Sequence, residues 1–421
     1  MIYSLTEMTN AFTWAFLAAL AAATATRLWL AQRQIRHVSA HRGAVPGTFA
    51  EAIPLEAHQK AADYTVAKTR VGMLDLAIGA AVTLWLTLGG LIEWISGFWA
   101  RWLEPGSVLH GTALLLTIFF IQAALGLPTT LYRTFVVEER FGFNRMTVKL
   151  FVVDLLKHTL VGLALGVPLL VTVLWLMNRA GEHWWLYVWV VWVAYSLLMM
   201  MIYPAFILPL FNKFTPIEKG ELQARIAALL ERTGFRSSGL FMMDGSKRSS
   251  HGNAFFTGFG ATKRIVLFDT LVNRLQPPEV EAVLAHELGH YKLHHIAKGM
   301  ALTFGVSFAV LFVLGQLIDK PWFYQGLGVA TPSNAAALVL FFLVLPEFLF
   351  FVNPLTSLYS RKREFEADAY ATSHANAAEL VTALVKLYKD NAATLTPDPL
   401  HSAFYDSHPP AATRIARLRT P

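Results

Sequence analysis

The chain has 421 residues, of which 55% are hydrophobic and 15% charged, and its mean hydropathy is +0.45. This composition excludes an ordinary soluble protein and predicts an integral membrane protein. The net charge of +7 does not indicate nucleic-acid binding, because no basic patch with interleaved aromatic residues is present. The chain has no cysteine, which excludes disulfides and thiolate metal ligands.

Hydrophobic segments long enough to cross a bilayer, which takes about 20 residues, recur along the chain. We predict seven spans, at 11–31, 71–95, 108–132, 150–177, 184–208, 300–318 and 335–358. The first follows Glu7 rather than a basic run, so it is predicted to be a retained span and not a cleaved signal peptide.

The basic residues of the short loops predict the orientation. The loops at 33–70 and 133–149 are rich in arginine and lysine, whereas the alternate loops carry one basic residue each. By the positive-inside rule the N-terminus lies outside and the C-terminus in the cytosol. The membrane is the inner membrane if the protein is bacterial, which its alanine-rich, cysteine-free composition favours, and the endoplasmic reticulum if it is eukaryotic.

The predicted layout is mostly α, with a small α+β domain inserted into a helical bundle. Residues 1–208 hold spans one to five, 209–299 form a cytosolic segment, 300–358 hold spans six and seven, and 359–421 form a cytosolic C-terminal segment. The cytosolic segment is predicted to contain an amphipathic helix at 218–233, a small antiparallel sheet from strands at 240–243, 254–258 and 264–268, and a helix that begins at Pro277.

This last helix carries an H-E-x-x-H motif. Residues 283–295 read VLAHELGHYKLHH, which places His286 and His290 four apart and hence on one helical face. Two imidazoles on one face can bind one Zn²⁺ ion. Glu287 follows His286 in the sequence and points at the open side of the metal, where it can act as a general base. The spacing is typical of zinc metalloproteases.

A catalytic zinc needs a third protein ligand. His294 is excluded, because eight residues of straight helix separate it from His286 by about 12 Å. Glu364 is the better candidate, because Asp368 lies four residues further on and can accept a proton from the far nitrogen of a ligand histidine. Without the upstream H-E-x-x-H motif, Glu364 and Asp368 would be interpreted as part of a solvent-exposed helix face.

Two residues of the C-terminal tail are candidates for the same site. His408, in a Ser-His-Pro-Pro turn, can stabilise the oxyanion of the tetrahedral intermediate. Arg414 can pair with Asp368 or with a substrate carboxylate. The alternative for both is an ordinary surface position.

Several further motifs accompany the H-E-x-x-H sequence, in order along the chain. They are E-E-R-F-G-F-N-R at 138–145, P-L-F-N-K-F-T-P at 209–216, H-x-N-A-F-x-x-G at 251–258, S-R-x-x-E-F-x-A-D at 360–368 and S-H-P-P at 407–410. Together they resemble the type I CAAX prenyl protease family, the integral-membrane zinc metalloproteases of the a-factor-converting type. The resemblance runs from about residue 50 to the C-terminus.

The resemblance implies the roles of individual residues. It implies one Zn²⁺ per chain held by His286, His290 and Glu364, with Glu287 as the base and His408 at the reacting centre. It also implies that Asn253, with Ala254 and Phe255, lies on an edge strand that pairs with the substrate backbone.

Members of the family also enclose a water-filled chamber within seven helices, and the zinc-bearing domain resembles the zincins. Such a chamber would accommodate the charges predicted to fall within spans, at Asp75, Asp154, Lys157 and Glu347, whereas Glu93 is predicted to lie at a helix end. Eukaryotic members remove the last three residues of farnesylated C-a-a-X proteins. The expected partners are therefore a peptide or lipidated protein substrate and membrane lipid, and a monomer is favoured.

Two other functions remain open from the residues. One is a membrane quality-control zinc protease of the heat-shock type, which shares the metal motifs but has fewer spans. The other, from a different class, is a non-proteolytic transporter or scaffold, which has no need of H-E-x-x-H together with a distant E-x-x-x-D.

Overall fold

The computed structural model describes residues 9–257 and 263–419, and its N-terminal half is a set of long helices. They are α1 (Ala11–Ala40), α2 (Leu55–Leu86), α3 (Leu91–Trp99), α4 (Val108–Tyr132), α5 (Val148–Arg179), α6 (Trp184–Ile202) and α7 (Leu208–Phe211). Wider π-helical turns at Arg133–Glu138 and Tyr203–Ile207 extend α4 and join α6 to α7.

The inserted segment contains strands and shorter helices. They are β1 (Phe214–Pro216), α8 (Glu221–Thr233), β2 (Leu240–Met243), β3 (Ala254–Thr257), β4 (Arg264–Phe268), α9 (Asp269–Val272) and α10 (Pro277–Lys292). The rest of the chain is helical again, as α11 (His295–Leu317), α12 (Pro321–Gln325), α13 (Asn334–Leu349), α14 (Asn353–His374), α15 (Ala377–Asp390), α16 (Pro399–Tyr405) and α17 (Ala411–Arg419).

Within residues 9–257 and 263–419, seven helical segments are long and apolar enough to cross a membrane, which confirms the predicted number. The second was misplaced: it was expected at 71–95, whereas α2 covers Leu55–Leu86 and a turn around the left-handed Gly90 (φ +75°) separates it from α3. The start of α2 was predicted too late in the chain because its first turns are polar. Hydropathy detects the lipid-facing part of a helix and not its full length.

The sheet differs from the expected antiparallel one. It has four strands in the order β1-β2-β4-β3, and β2 and β4 run parallel, from Leu240 beside Ile265 to Met243 beside Phe268. β3 folds back on the outer side of β4 as an antiparallel edge strand. The prediction was wrong because residues 244–263 connect β2 to β4 through β3, which leaves room for a parallel crossover. Gly258, the predicted last residue of β3, lies outside the described residues.

Helix α10 packs against the sheet and against helices on several sides, chiefly α8, α14 and α15. It begins as predicted at Pro277, and a capping box fixes this start, because Glu279 accepts a hydrogen bond from the Gln276 N–H at 2.7 Å. Its apolar face joins a core that includes Ile226, Leu229, Ile265, Leu267, Leu288 and Leu384. The helix that carries the H-E-x-x-H motif is therefore held on several sides.

Each charge expected within a span has a partner in the protein. The pairs are Asp75 with Arg133 at 2.5 Å, Asp154 with Arg248 at 2.7 Å, Glu347 with Arg27 at 2.7 Å, and Lys157 with the Leu210 carbonyl at 2.7 Å. Glu93 lies outside the spans on α3, where it accepts hydrogen bonds from the backbone N–H groups of Ala330 and Thr331. Pairing lowers the cost of a charge near lipid.

Candidate active site

Helices α10 and α14 approach each other closely at Gly289, within the H-E-L-G-H sequence. A Cβ atom at this position would lie 2.9 Å from Cα and 3.0 Å from the carbonyl oxygen of Ala367. Only glycine permits that distance, because real side chains essentially never come so near to backbone atoms. The close crossing places α14 within ligand distance of the two histidines.

The three predicted ligands meet at this crossing. Nε2 of His286 lies 3.2 Å from Nε2 of His290 and 3.4 Å from Oε2 of Glu364, and Nε2 of His290 lies 3.2 Å from Oε1 of Glu364. One ligand atom from each residue falls within 4.8 Å of the others.

The residues fit a divalent cation. Oε2 of Glu364 is buried and has no hydrogen-bond partner among the described residues, although the His286 and His408 imidazoles lie 3.4 and 3.5 Å away and the Arg414 guanidinium 3.7 Å away. Burying a carboxylate oxygen without a hydrogen bond is costly, and a metal ion between Glu364 and the two histidines would satisfy this oxygen more closely than the guanidinium does. Two imidazoles and one carboxylate, with space for a further ligand, form a donor set that suits Zn²⁺.

Asp368 and Arg414 support this cluster from behind. Oδ1 of Asp368 lies 2.8 Å from Nδ1 of His286, and the guanidinium of Arg414 donates to both carboxylate oxygens at 2.6 and 2.8 Å. All three side chains are buried. Because Nδ1 faces a carboxylate, it carries the proton of the neutral ring, and Nε2 is left free to bind a metal.

Glu287 lines a cavity of about 420 Å³ beside the cluster, together with Phe255, Phe256 and His290. Burial raises the pKa of its carboxyl group above the ordinary value, against the lowering effect of His286 and His290. The carboxylate is thus a stronger base than one in water.

His408, in the C-terminal segment, lies close to Glu364. Its Nε2 lies 3.5 Å from Oε2 of Glu364, and its side chain is 59% exposed. Arg361 holds the preceding chain, because it donates to the carbonyl oxygens of Ser402 and Asp406. His408 therefore lies beside the metal ligands with a free side for a substrate.

Strand β3 forms the sheet edge on the cavity side, and among the described residues it pairs only with β4. Asn253 immediately precedes it: its carbonyl accepts from the Phe268 N–H at 3.0 Å, and its side chain accepts from the Ala254 N–H at 2.8 Å. The alternation of an antiparallel ladder then directs the backbone groups of Ala254 and Phe256 to the free side.

The loop after the third span supports this edge strand, a role that the sequence did not reveal. The Ser250 N–H donates to the Phe143 carbonyl at 3.2 Å, and Phe143 stacks on His251 at 4.5 Å between ring centroids. His251 also lies 3.6 Å from Glu138. The E-E-R-F-G-F-N-R and H-x-N-A-F motifs thus contact each other. In the sequence, the only indication of this contact was that both motifs are rich in polar and aromatic residues.

A second residue was missed. His295, next to the excluded His294, is 4% exposed and lies with Nδ1 3.1 Å from Nδ1 of the ligand His290. The adjacent pair of histidines after the motif was the available signal, but a straight helix was assumed there. His294 instead takes a left-handed conformation (φ 56°), which interrupts the helix between α10 and α11.

A multi-pass membrane protein with two histidines, a distant glutamate and a buried acid beside them on a cavity wall is an integral-membrane metallopeptidase. Two family models match the chain: "CAAX prenyl protease N-terminal, five membrane helices" over residues 34–213, and "Peptidase family M48" over residues 216–421. The chain belongs to the CAAX prenyl protease 1 family.

Relatives and a solved structure agree with this membership. The chain is 33% identical to a CAAX prenyl protease 1 homolog of Arabidopsis thaliana, over 89% of this chain and 90% of the relative. It is 38% identical to CAAX prenyl protease 1 of Saccharomyces cerevisiae, over 71% and 69%. The crystal structure of S. mikatae Ste24p superposes with a TM-score of 0.88 at 32% identity, over 97% of this chain and 99% of that one.

Proposed function

We propose that the protein is a zinc-dependent endopeptidase that cleaves extended peptides near their C-terminus, of the CAAX-like, prenylated kind, or other membrane-associated segments. The observation that carries the proposal is the convergence of His286, His290 and Glu364 beside the free edge of β3. The names of the relatives support the substrate class, because those proteins are called CAAX prenyl proteases.

The residues of the chain divide the chemistry among them. His286, His290 and Glu364 would hold the zinc ion, which when bound would supply a water of near-neutral pKa and polarise the scissile carbonyl. Glu287 takes a proton from the attacking water and passes it to the leaving amine. Its burial in the cavity wall supports this role, because the raised pKa makes the carboxylate a better proton acceptor.

His408 is the proposed donor to the oxyanion. It lies on the ligand side of the cavity and keeps an exposed face, so that a hydrogen bond can form to charge that develops beside the metal. Arg414 is proposed to keep Asp368 ionised and not to bind the substrate, because its guanidinium is buried against that carboxylate.

The substrate is proposed to add as a strand to β3. Ala254 and Phe256 offer outward backbone groups, and Phe255 and Phe256 line the cavity that also holds Glu287. The side chain of Asn253 covers the Ala254 N–H in the free protein, and a substrate carbonyl would replace it.

Arg363 is proposed to receive the C-terminal carboxylate. It lines the same cavity, its Nη2 donates to the Tyr359 hydroxyl at 2.6 Å, and its Nε is buried without a hydrogen-bond partner among the described residues. A cut three residues from the end places the carboxylate about 10 Å from the scissile bond, which a long arginine next to a metal ligand can reach. Preference for a peptide acid over its C-terminal amide, lost in Arg363→Gln but kept in Lys362→Gln, tests this role.

The topology and the assembly are also proposals. An odd number of spans puts the termini on opposite sides, and the basic loops favour a cytosolic C-terminus, at the inner membrane or the endoplasmic reticulum. A monomer surrounded by lipid is favoured, because one chain supplies every ligand of the site. Accessibility labelling of tagged loops tests the orientation.

The decisive experiment uses the full-length protein purified in detergent. We expect one zinc per chain, cleavage of farnesylated C-terminal peptides in preference to unmodified ones, and no cleavage by Glu287→Gln at unchanged zinc content. Glu364→Ala should lower both zinc content and rate. Wild-type protein that holds no zinc, or cleaves neither peptide, would overturn the proposal.

A further inference from the structure

We infer that His295 and Glu366 form a hydrogen-bonded relay that fixes the metal ligand His290, in the way that Asp368 fixes His286. The relay rests on the proposed metal site. Both residues lie outside the ligand set, and they join the start of α11 to α14.

The contacts run in sequence from the ligand to a carboxylate. Nδ1 of His290 lies 3.1 Å from Nδ1 of His295, and Nε2 of His295 lies 3.0 Å from Oε2 of Glu366. His295 is 4% exposed, and its ring crosses that of His290 at 71°. The left-handed His294 lies between the two residues and separates α10 from α11, so that His295 begins a new helix beside His290.

Only one arrangement of protons satisfies every nitrogen when a metal is bound. The metal takes the lone pair of His290 Nε2, so Nδ1 of the neutral ring carries the proton and needs an acceptor. His295 Nδ1 is that acceptor and is therefore unprotonated. The proton of His295 then lies on Nε2, from which it is donated to Glu366.

Helix α14 supplies, through its periodicity, the three carboxylates that contact the histidines of the cluster. Glu364 and Asp368 are four apart and share one face, while Glu366 lies two positions from each, about 200° round the helix. It therefore reaches His295 on another side of the crossing. Each of the two ligand histidines is connected by hydrogen bonds to a carboxylate of α14. His286 contacts Asp368 directly, and His290 is connected to Glu366 through the imidazole of His295.

Zinc affinity of the full-length protein, measured by competition with a chromophoric chelator, tests the relay. His295→Leu removes the acceptor, and we expect its dissociation constant for zinc to rise about 10- to 100-fold. Glu366→Ala should weaken zinc binding more than Glu366→Gln, because the glutamine carbonyl still accepts a hydrogen bond. His294→Asn is the matched control, because asparagine tolerates the left-handed conformation, and it should bind zinc as the wild type does.

Two further measurements distinguish a role of His295 and Glu366 in positioning His290 from a purely structural role in holding α11 against α14. In the cobalt-substituted protein, His295→Leu should shift the visible absorption bands, and His294→Asn should not. The melting temperature of zinc-free Glu366→Gln should stay at the wild-type value.

Zinc affinities of His295→Leu and both Glu366 variants within threefold of wild type would overturn the inference. It would equally be overturned if His295→Leu lost zinc together with a lowered zinc-free melting temperature while both Glu366 variants bound zinc normally. Zinc binding by the wild type tests the metal site itself, so the two failures are distinguishable.

Discussion

Asp368 and Arg414 form a buried two-point ion pair, with Nη2 to Oδ1 at 2.6 Å and Nε to Oδ2 at 2.8 Å, directly behind the ligand His286. The side chains are 5% and 6% exposed, so each charge depends on the other. The C-terminal helix α17 thereby reaches the proposed metal site through Arg414.

Loss of Arg414 should therefore weaken zinc binding. Arg414→Met keeps the length of the side chain but leaves the Asp368 carboxylate buried without its cation. We expect zinc affinity to fall about 10- to 100-fold, with a lower melting temperature, in a chelator competition assay. Arg419→Met, an exposed arginine of the same helix, is the control. Unchanged zinc affinity in Arg414→Met would show that the pair does not act on the ligand.

Gly289→Ala should separate the two helices that supply the ligands. Its Cβ would contact the Ala367 backbone at 2.9 Å, and backbone atoms cannot move aside alone. We expect a melting temperature lower by several degrees and reduced zinc content, measured by thermal unfolding and elemental analysis. Gly305→Ala, on α11 where nothing lies within 4 Å, should show neither change. Equal behaviour of the two variants would contradict the close crossing.

Zinc binding should depend on pH through His286. In the zinc-free protein burial lowers the pKa of His286, but hydrogen bonds to Asp368 and Glu364 outweigh burial and raise it above 6.5. Below that raised pKa zinc must displace a proton, so apparent affinity should fall as the pH falls, by about tenfold per pH unit for one proton.

The Asp368→Asn variant tests whether the raised pKa of His286 causes this loss of zinc affinity at low pH. An uncharged partner no longer raises the pKa of His286, so the fall in affinity should begin at a lower pH than in the wild type. Zinc titrations between pH 5.5 and 8.5, a range of about three units around the ordinary histidine pKa, measure the onset. An onset at the same pH in both proteins would contradict the assignment.

Substrate pairing with β3 should show a period of two. Replacing single substrate amides by esters removes one N–H donor at a time, and a lost hydrogen bond of about 1 kcal/mol lowers kcat/KM about fivefold. The loss should occur at alternate substrate residues, because only alternate residues of an added strand face Ala254 and Phe256. Equal losses at successive residues would argue against strand addition.

The ion pair between Arg27 and Glu347 should stabilise the first and last spans only as a pair. The two side chains are 17% and 12% exposed, and Arg27 also lies over the Phe350 ring at 4.5 Å. Glu347→Gln leaves the arginine uncompensated and should destabilise the protein by about 3 kcal/mol. Arg27→Met with Glu347→Met should lie closer to wild type in a melting-temperature assay. A double variant less stable than Glu347→Gln would contradict this.

Local patterns in the sequence determined much of this protein. Seven spans follow from runs of apolar residues, and the placement of His286, Glu287 and His290 follows from the 3.6-residue period of one helix. Glu364 and Asp368 could be paired by the same rule. These features depend on residues within a few turns of each other, so the chain alone carries the information.

Contacts between distant segments were decided only by the tertiary structure. The start of α2, the parallel pairing of β2 with β4 and the return of His295 to His290 each depend on where the chain turns. A left-handed residue such as His294 redirects all that follows it, and its neighbours in sequence do not reveal it. The cluster of His286, His290 and Glu364 was therefore predictable, whereas the groups that hold these side chains in place were not, because they meet only when α10, α11 and α14 cross.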